Sequence, residues 1–569
     1  MNLLLDPSLQ DAVAARLAGL DADRLVARLA RRDPSLWGAD PARQSTVARR
    51  LGWLGAPEAM VAQVGAMRAF AAEVIADGFT HAVLLGMGGS SLAPEVLRRV
   101  LGVRAGFLEL SVLDDTSPEA VAAIERTHDP ARTLFIVSSK SGSTLEVVSF
   151  ERHFFAWTAA ARGAATGRAF VAITDPGTPL ERLARERGYR HVFSGLPDVG
   201  GRYSALTPFG LVPAALIGAD LEQLLVAASA ELATLAQGLP ARDVPGVRLG
   251  AVLGELALRG RDKLTLAPAS PWEPFGAWVE QLIAESTGKE GRGIVPVVEE
   301  PIAAPETYGG DRVFVALGGD AAVGPIAALA SAGHPVLAWD PGAQGLGAQF
   351  VRWEIATATA SAVLGVNAFD EPNVTEAKQA TQSVLEGYLV AGRFPDDAPV
   401  AAARGIEVHA PARVATAVRP HVASPAEPAA WLPALLALGR PGDYVALLAY
   451  LGRTPARHDR LQELRERVRD ATRLATTLGY GPRYLHSTGQ LHKGGADTGI
   501  FVILTAEPGA DREIPDERFG FAALHRSQAE GDDAALERRG RRVMHFHLGA
   551  APEDGLEALL AAVAAGGRV

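Results

Sequence analysis

The chain has 569 residues, which is too long for one compact core, since a single domain typically holds about 150 residues. Its formal net charge of −10 argues against a protein that binds nucleic acid non-specifically, because such a protein needs a basic face. The absence of cysteine excludes disulfides, thiolate metal sites and a cysteine nucleophile.

The first segment, residues 1–55, is predicted to be helical. It has no basic start followed by an apolar run, so it lacks the features of a signal peptide. No stretch of the chain reaches the roughly 20 uninterrupted apolar residues that a membrane-spanning helix needs. We therefore expect a soluble, cytoplasmic protein, and a chain without cysteine fits a reducing compartment.

Strands alternate with helices over the next two segments. In residues 56–225, the apolar runs THAVLLG, LELSVLDD, TLFIVSS and RAFVAITD are each followed by a turn and helical spacing. In residues 226–395, the candidate strands are KLTLAPA, RVFVALGG and HPVLAWD. Such alternation implies a parallel sheet covered by helices on both faces. We thus predict an α/β protein with two doubly wound parallel-sheet domains.

The rest of the chain is predicted to be a connection followed by a C-terminal α/β portion. Residues 396–430 are rich in Pro and Ala and lack a sustained period, which favours a surface linker. Residues 431–569 contain candidate strands at DYVALLAYL, GIFVILT and RVMHFHLG and a charged helix at RHDRLQELRERVRDATRLA.

Two loops, each between a strand and a helix, carry glycines and hydroxyls: GMGGSSLAPE (86–95) and SSKSGSTLEV (138–147). Such a loop directs backbone N–H groups to a helix N-terminus, where the helix dipole also attracts anions. Neither loop has the spacing of the Walker phosphate loop or the dinucleotide fingerprint. One such loop is usually plain helix capping, but two in one α/β unit favour a phosphate site. The predicted phosphate-binding residues are Gly89, Ser90, Ser139, Lys140, Ser141, Ser143 and Thr144.

Three further segments extend this pattern: GGRYSALTPFG (200–210), WVEQLIAESTGKEGRG (278–293) and NAFDEPNVTEAK (367–378). With the two loops, they make the chain resemble the glucose-6-phosphate isomerase family, whose fold is a pair of parallel α/β sugar-isomerase domains. The resemblance implies an aldose–ketose isomerase of glycolysis and gluconeogenesis that interconverts D-glucose 6-phosphate and D-fructose 6-phosphate. It implies ring opening and proton transfer through a cis-enediolate, with no metal and no cofactor. It also implies a homodimer whose active sites use residues of both subunits.

One motif of that family stands in an unusual place. The segment RYLHSTGQLHKGG (483–495) is similar to the family's L-H-S-x-G-Q motif, which normally follows soon after E-S-x-G-K. Here it comes after NAFDEPNVTEAK, an order similar to that of the isomerase half of bifunctional transaldolase/glucose-6-phosphate isomerases. The chain is too short to hold a transaldolase as well. The resemblance therefore implies a free-standing relative, with a separate transaldolase as a potential functional partner.

The resemblance assigns the central chemistry to two residues. Glu285 of AESTGK corresponds to the general base, and the apolar neighbours Leu282 and Ile283 would raise its pKa through partial desolvation. From spacing alone, a capping or ion-paired glutamate would be the alternative. Arg202 of GGRYS would stabilise the enediolate oxygen, because a guanidinium stays charged at any working pH. Its alternative is a surface salt bridge.

The remaining roles also follow from the resemblance. His486 of LHSTGQ would open the sugar ring, and Glu146, which follows the second loop, would orient this histidine and fix its tautomer. Lys378 would assist at the ring oxygen or grip the substrate. Where the family commonly has glutamine, this chain has Glu371, a carboxylate that would repel phosphate unless it turns away or Lys378 neutralises it. Gln281 is predicted to supply a neutral contact instead.

Three alternatives stay open. A related isomerase could act on mannose 6-phosphate, and a non-catalytic phosphosugar sensor would need the two loops but not the acid–base residues. The chain could also be a subunit that works only beside a transaldolase. His545 and His547 share one face of a strand, but no nearby acidic pair or cysteine completes a set of ligands, so we predict no metal site.

Overall fold

The computed structural model describes residues 1–318, 323–342, 345–395 and 398–566. Within these ranges the chain forms three β-sheets with helices around them, two of five strands and one of six. The α/β class with parallel sheets is as predicted. Each sheet contains parallel strands joined by helical crossovers, and the central strands are buried on both faces, so helices must cover both sides of the sheet.

The N-terminal segment is mostly helical, as predicted, but it begins with a strand. Its elements are β1 (Asn2–Leu4), α1 (Pro7–Ala22), α2 (Leu25–Ala30) and α3 (Pro41–Ala48), and α4 (Ala56–Val61) and α5 (Val64–Ala76) follow at the start of residues 56–225. Asp6 caps α1 by accepting hydrogen bonds from the backbone N–H groups of Ser8 and Leu9. The strand pairs antiparallel with Val336–Trp339 of the second sheet. Three residues are too few to show a period, so only this distant pairing makes them a strand.

The first sheet holds the four strands predicted for residues 56–225, and β6 in addition. Its strands are β2 (His81–Gly86), β3 (Glu109–Leu113), β4 (Thr133–Ser138), β5 (Phe170–Thr174) and β6 (His191–Ser194), in the order β3-β2-β4-β5-β6. All are parallel. The helices are α6 (Leu92–Leu101), α7 (Pro118–Thr127), α8 (Leu145–Arg162), α9 (Pro179–Glu186), α10 (Pro208–Leu216) and α11 (Leu221–Ala233). The strand order reverses between β2 and β4, which is where ligands bind in open α/β sheets.

The second sheet has the order β1-β10-β9-β7-β8 and is parallel apart from β1. Its elements are α12 (Pro245–Leu258), β7 (Lys263–Pro268), α13 (Phe275–Thr287), β8 (Val295–Val297), β9 (Arg312–Leu317), α14 (Gly324–Ser331), β10 (Val336–Trp339), α15 (Gly345–Leu364) and α16 (Pro372–Ala391). This sheet and the first one share one hydrophobic core, to which the N-terminal helices also contribute.

The third sheet has the order β11-β12-β16-β15-β13-β14. Its elements are β11 (Ala401–Ala403), β12 (Ile406–His409), α17 (Ala412–Val418), α18 (Trp431–Leu436), β13 (Tyr444–Tyr450), α19 (Pro455–Thr472), β14 (Ala475–Tyr480), α20 (Gly489–Gly494), β15 (Gly499–Thr505), α21 (Phe521–Arg538), β16 (Arg542–His547) and α22 (Pro552–Ala565). A second hydrophobic core lies within this unit, and a smaller apolar cluster joins it to α13 and β8.

The predicted linker at 396–430 is wrong for its described part, which belongs to the third sheet. Strand β11 pairs antiparallel with β12, and β12 pairs antiparallel with β16. The turn between β11 and β12 contains Arg404 and Gly405, both with positive φ. Strands of three and four residues carry almost no periodic signal, so the pairing of β12 with β16, and of β11 with β12, decides the structure.

Among the described residues, no single helix is both long and apolar enough to cross a bilayer. The segments Gly52–Val61 and Val64–Ala76 reach that length and composition only when they are counted together across a 63° bend.

Candidate active site

The first predicted loop lies at the reversal point of the first sheet and contacts three other segments. Gly88 has a φ of +54°, in the left-handed region that favours glycine, and a Cβ there would lie 2.9 Å from Nε2 of Gln281 and 2.9 Å from the carbonyl oxygen of His486. A Cβ at Gly89 would lie 2.0 Å from the carbonyl oxygen of Gly201. The two glycines therefore allow the loop to pack against the GGRYS, ESTGK and LHSTGQ motifs at once.

The second loop, after β4, holds its hydroxyls in an ordered set. Oγ of Ser139 lies 3.0 Å from Oγ1 of Thr144 and accepts a hydrogen bond from the backbone N–H of Gly142 at 3.1 Å. Oγ of Ser141 accepts from the backbone N–H of Ser143 at 3.3 Å. Ser139 is buried and Thr144 is half-buried, whereas Ser141 and Ser143 are exposed. Thr144 is the residue that precedes the first turn of α8, so this set of hydroxyls lies at a helix N-terminus.

Lys140 is directed away from these hydroxyls. Its ammonium group donates to the carboxylate of Asp175, after β5, and to the carbonyl oxygen of Leu196 at 3.0 Å. Burial lowers the pKa of Lys140, and Asp175 opposes this shift. In this structure the lysine joins two neighbouring loops, and its predicted contact with substrate needs a change of rotamer.

Glu285 lies in the last turn of α13 with its side chain 12% exposed. Its Oε1 is 3.0 Å from Nη1 of Arg202, and its Oε2 accepts a hydrogen bond of 3.0 Å from Nε2 of Gln281, one turn earlier on the same helix face. Burial raises the pKa of Glu285, Arg202 opposes this, and the nearby carboxylate of Glu371 adds to the rise. A carboxylate with a raised pKa, buried beside a fixed cation, is suited to act as a general base.

Arg202 is held by four polar partners besides Glu285. Nε donates to Oγ of Ser286 at 2.8 Å, and Nη2 donates to the carbonyl oxygens of Ala368 and Asp370 at 2.8 and 2.9 Å. Nη1 donates to Oε2 of Glu371 at 3.1 Å. Burial tends to lower the pKa of Arg202, but the two glutamates outweigh it and the pKa is raised. The guanidinium is therefore fixed in place and permanently charged.

Glu371, the departure from the family pattern, turns to Arg202 and not to Lys378. Its side chain is 43% exposed, and it shares Nη1 of Arg202 with Glu285. Nη1 of Arg202 thus forms ion pairs with two carboxylates, those of Glu285 and Glu371.

His486 lies in the short 3₁₀ turn Arg483–His486, after β14, and contacts the first sheet's unit. Its Nε2 is 2.9 Å from Oε1 of Glu146, and its carbonyl oxygen accepts a hydrogen bond of 2.8 Å from Nε2 of Gln281. Burial tends to raise the pKa of Glu146, but His486 and Lys378 more than offset it, so the pKa is lowered. Since an ionised carboxylate only accepts, Nε2 of His486 carries the proton that faces it. Nδ1 has no hydrogen-bond partner among the described residues.

Lys378 lies on α16 with its side chain exposed. Its ammonium group has no hydrogen bond or ion pair within the described ranges, and its charge is close enough to lower the pKa of Glu146. The lysine therefore keeps its donors available to a ligand.

A continuous chain of contacts joins these residues into one site. Glu146 is two residues from Thr144 of the second loop, and it bonds to His486, whose carbonyl oxygen bonds to Gln281, which bonds to Glu285. The structure therefore brings the predicted base, the arginine, both loops and the pair of His486 and Glu146 together. In sequence, 340 positions separate His486 from Glu146.

Sequence reasoning missed several residues that position the site. Lys289 donates to the carbonyl oxygens of Asn367 and Asp370 and, at 2.8 Å, to Oδ1 of Asp370, and burial lowers its pKa to about 8. Gln490 donates to the carbonyl oxygen of Gly288 at 3.0 Å and so ties LHSTGQ to ESTGK. Both residues stand inside the motifs and were open to prediction. Gln528, which bonds to Glu146, stands in no motif.

His545 and His547, the two histidines on β16, both contact one threonine hydroxyl. Oγ1 of Thr505 lies 2.7 Å from Nε2 of His545 and 3.0 Å from Nδ1 of His547. In the part of the chain that the structure describes, no three His, Cys, Asp or Glu side chains are grouped so that they could hold a metal ion.

Comparisons with known proteins indicate one family. The family model described as phosphoglucose isomerase matches residues 61–299, which include both loops, Arg202 and Glu285. A glucose-6-phosphate isomerase of Thermus thermophilus is 30% identical in an alignment of 423 residues that covers 63% of this chain and 96% of that protein. That of Rubrobacter xylanophilus is 31% identical in an alignment of 365 residues that covers 55% of this chain and 84% of that protein.

Two solved structures share the fold. A Thermus thermophilus protein described as hypothetical has 26% identity and a TM-score of 0.56, with 67% of this chain and 99% of that chain covered. A glucose-6-phosphate isomerase from Chlamydia trachomatis has 18% identity and a TM-score of 0.53, with 67% and 87% covered. At that identity, the second likeness concerns the fold alone.

Proposed function

The chain belongs to the glucose-6-phosphate isomerase family, and from this we infer that it is an aldose–ketose isomerase that interconverts D-glucose 6-phosphate and D-fructose 6-phosphate. The observation that carries the mechanism is the pair of Glu285 and Arg202, 3.0 Å apart and buried beside the phosphate loops. A carboxylate base and a fixed cation are the two groups that proton transfer through an enediolate requires.

We propose that the substrate's phosphate binds at the second loop. The hydroxyls of Ser139 and Thr144 turn from each other to the phosphate oxygens, and the N-terminus of α8 stabilises its charge. The exposed Ser141 and Ser143 add donors, and Gly89 and Ser90 border the sugar from the first loop.

Ring opening is assigned to His486 and Lys378. Nδ1 of His486 takes the proton of the anomeric hydroxyl while the bond between C1 and the ring oxygen breaks, and the imidazole then delivers that same proton to the ring oxygen. The positive charge of Lys378 stabilises the ring oxygen as that bond breaks. Glu146 holds the imidazole through Nε2, so that Nδ1 is the nitrogen that faces the sugar.

Proton transfer is assigned to Glu285. It removes the proton from C2 of the open-chain aldose, and Arg202 stabilises the negative charge that develops on the enediolate oxygens. The same carboxyl group then delivers the proton to C1 while the hydroxyl proton moves from O2 to O1, which gives the ketose. Gln281 bonds to both Glu285 and the His486 carbonyl oxygen, and so fixes the base relative to the ring-opening residue.

The function is tested by a coupled assay of the purified chain on fructose 6-phosphate, with and without a chelator. We expect turnover that survives the chelator and that is higher with glucose 6-phosphate than with mannose 6-phosphate in the reverse direction. Chelator-sensitive turnover would instead indicate a metal-dependent hydride shift. Turnover that appears only after a transaldolase is added would indicate an obligate subunit.

We further propose a cytoplasmic homodimer in which each subunit carries a complete site. The resemblance to the family implies dimers with shared sites, whereas here one chain supplies Glu146, Arg202, Glu285, Lys378 and His486. Sedimentation equilibrium measures the assembly, and a species with the mass of one chain would contradict the dimer. A functional association with a transaldolase is a further proposal, tested by co-sedimentation of the two proteins.

The second loop leads to a prediction about substrate affinity. Ser139→Ala and Thr144→Ala should each raise KM about tenfold or more and change kcat little, since a hydrogen bond to a charged group contributes about 1.5–3 kcal/mol. Ser149→Ala is the matched control, because that hydroxyl only donates to the carbonyl oxygen of Leu145 within α8. An unchanged KM in both loop variants would remove the loop from the site.

A further inference from the structure

Helix α21 of the C-terminal unit places one buried amide against the histidine–glutamate pair. Gln528 is 2% exposed, and its Nε2 donates to Oε1 of Glu146 at 2.8 Å. Its Oε1 accepts a hydrogen bond of 2.6 Å from Oγ1 of Thr116, which follows β3 of the first sheet. The side chain therefore joins two separate units of the protein at the active site.

The direction of each hydrogen bond in this set follows from its members. An ionised carboxylate can only accept, so the amide nitrogen must face Glu146 and the amide oxygen must face Thr116. Oγ1 of Thr116 then uses its hydrogen on Gln528 and accepts from Nδ1 of His525, 3.2 Å away. A flipped amide would set its oxygen against the carboxylate, and Thr116 would have no acceptor there. The arrangement thus has one orientation.

Two donors consequently meet on one carboxylate oxygen. Oε1 of Glu146 receives both Nε2–H of His486, at 2.9 Å, and Nε2–H of Gln528, at 2.8 Å. Such a carboxylate is kept ionised and cannot rotate without losing both bonds. An ionised and fixed Glu146 in turn keeps the imidazole of His486 in the tautomer that leaves Nδ1 free.

The same helix also holds the segment that carries the histidine. One turn after Gln528, Asp532 accepts a hydrogen bond of 2.6 Å from the hydroxyl of Tyr484 and forms a buried ion pair with Lys493. Tyr484 and Lys493 lie on either side of His486 in the longer segment RYLHSTGQLHKGG (483–495). Helix α21 therefore fixes both partners of the pair, His486 through Asp532 and Glu146 through Gln528.

From this geometry we propose that Gln528 is a positioning residue for ring opening, acting through Glu146 on His486. The inference rests on the proposed role of His486 and extends the site to a helix outside residues 61–299, the region matched by the family model. It predicts that loss of the amide donor slows ring opening and leaves phosphate binding unchanged. Loss of the amide donor should slow isomerisation only by slowing ring opening, and it should leave the proton-transfer step at Glu285 unchanged.

Ring opening can be measured alone in a Glu285→Gln background, where isomerisation is blocked. Opening followed by closure interconverts the α and β anomers of glucose 6-phosphate, and exchange NMR measures that rate. We expect Glu285→Gln to catalyse this exchange. Adding Gln528→Met, which keeps the volume but removes the donor, should slow it about tenfold to a hundredfold, the range seen when a residue that orients a functional histidine is lost. The KM for the exchange should change less than about twofold.

The control for packing is Ser527→Ala, the neighbouring position on α21, whose hydroxyl only donates to the carbonyl oxygen of Ala523. In the same background it should leave the exchange rate unchanged, and thermal melting checks that each variant is folded. Exchange that is equally fast with Gln528→Met would overturn the proposal. If the Glu285→Gln variant did not catalyse the exchange at all, His486 would not be the ring-opening residue, and Gln528 would not have the positioning role proposed here. Failure of the proposed function is a separate result, namely no isomerisation by the unaltered chain.

Discussion

Glu285→Gln is expected to lower kcat about a thousandfold or more in both directions and to leave KM nearly unchanged. Loss of a general acid or base costs about 10²–10⁴ in rate, and the same carboxyl group serves at C2 and at C1. Glutamine has the shape of glutamate and can still accept from Arg202, so the fold should persist. The coupled assay gives kcat and KM, and incorporation of solvent deuterium at C2 reports proton removal directly.

The matched control is Glu290→Gln, five positions further along, whose carboxylate is half exposed and pairs with Arg43 at the surface. A surface ion pair contributes about 0–1 kcal/mol to stability, so this variant should keep full activity. If Glu285→Gln retained more than about a tenth of the activity, another group would have to be the base. Deuterium incorporation that persisted at the original rate would lead to the same conclusion.

Arg202→Met is expected to lower kcat/KM about a hundredfold to a thousandfold, the range for removal of one donor to a developing oxyanion. It should also change the pH dependence. Arg202 opposes the rise in the pKa of Glu285, so its removal raises that pKa further. The base is then ionised only at higher pH, and the acid limb of the kcat/KM profile moves to higher pH. Glu371, which shares Nη1 of Arg202, increases the shift because its charge is no longer balanced there.

The Arg202→Lys variant distinguishes the effect of the positive charge at position 202 from that of the guanidinium's contacts. The control is Arg185→Met. A lysine keeps the positive charge but cannot make the five contacts of the guanidinium, so we expect a smaller pH shift with most of the loss in rate. Arg185 is 73% exposed and pairs only with Glu181 within α9, so its loss should leave the profile unchanged. An acid limb that did not move in Arg202→Met would contradict the electrostatic coupling of Arg202 to the base.

The C-terminal unit contributes residues to the candidate active site of this chain. It supplies His486 through the turn after β14 and Gln528 through α21, and both meet Glu146 of the first sheet's unit. The smaller apolar cluster that joins β13 and β15 to α13 holds the two parts together. The displaced motif therefore reaches the site through tertiary packing, and its position in the sequence does not alter the contacts that the histidine makes.

Local patterns were sufficient for much of the fold. The strands His81–Gly86, Thr133–Ser138 and Phe170–Thr174 are largely apolar runs followed by glycine or polar turns, and these strands and Glu109–Leu113 were all predicted. Buried parallel strands must be apolar on both faces, so their signal is local and strong. By contrast, Asn2–Leu4 and Ala401–Ala403 are short edge strands, and Ile406–His409 is a short strand next to Arg542–His547. Asn2–Leu4 and Ile406–His409 each pair with a strand that is far away in sequence, which leaves no local signal.

The candidate site likewise has features that local sequence motifs predict and features that only distant contacts determine. Sequence alone determined the residue types that the chemistry needs, namely the hydroxyl-rich loops, Glu285, Arg202 and His486, because these stand in compact motifs whose members are close along the chain. Only the tertiary structure decided which way Glu371 and Lys140 turn, that His486 meets Glu146 within one chain, and that Gln528 bonds to the same carboxylate. Hydrogen bonds and ion pairs act over about 3 Å in space, and residues hundreds of positions apart come that close only when the three sheets pack.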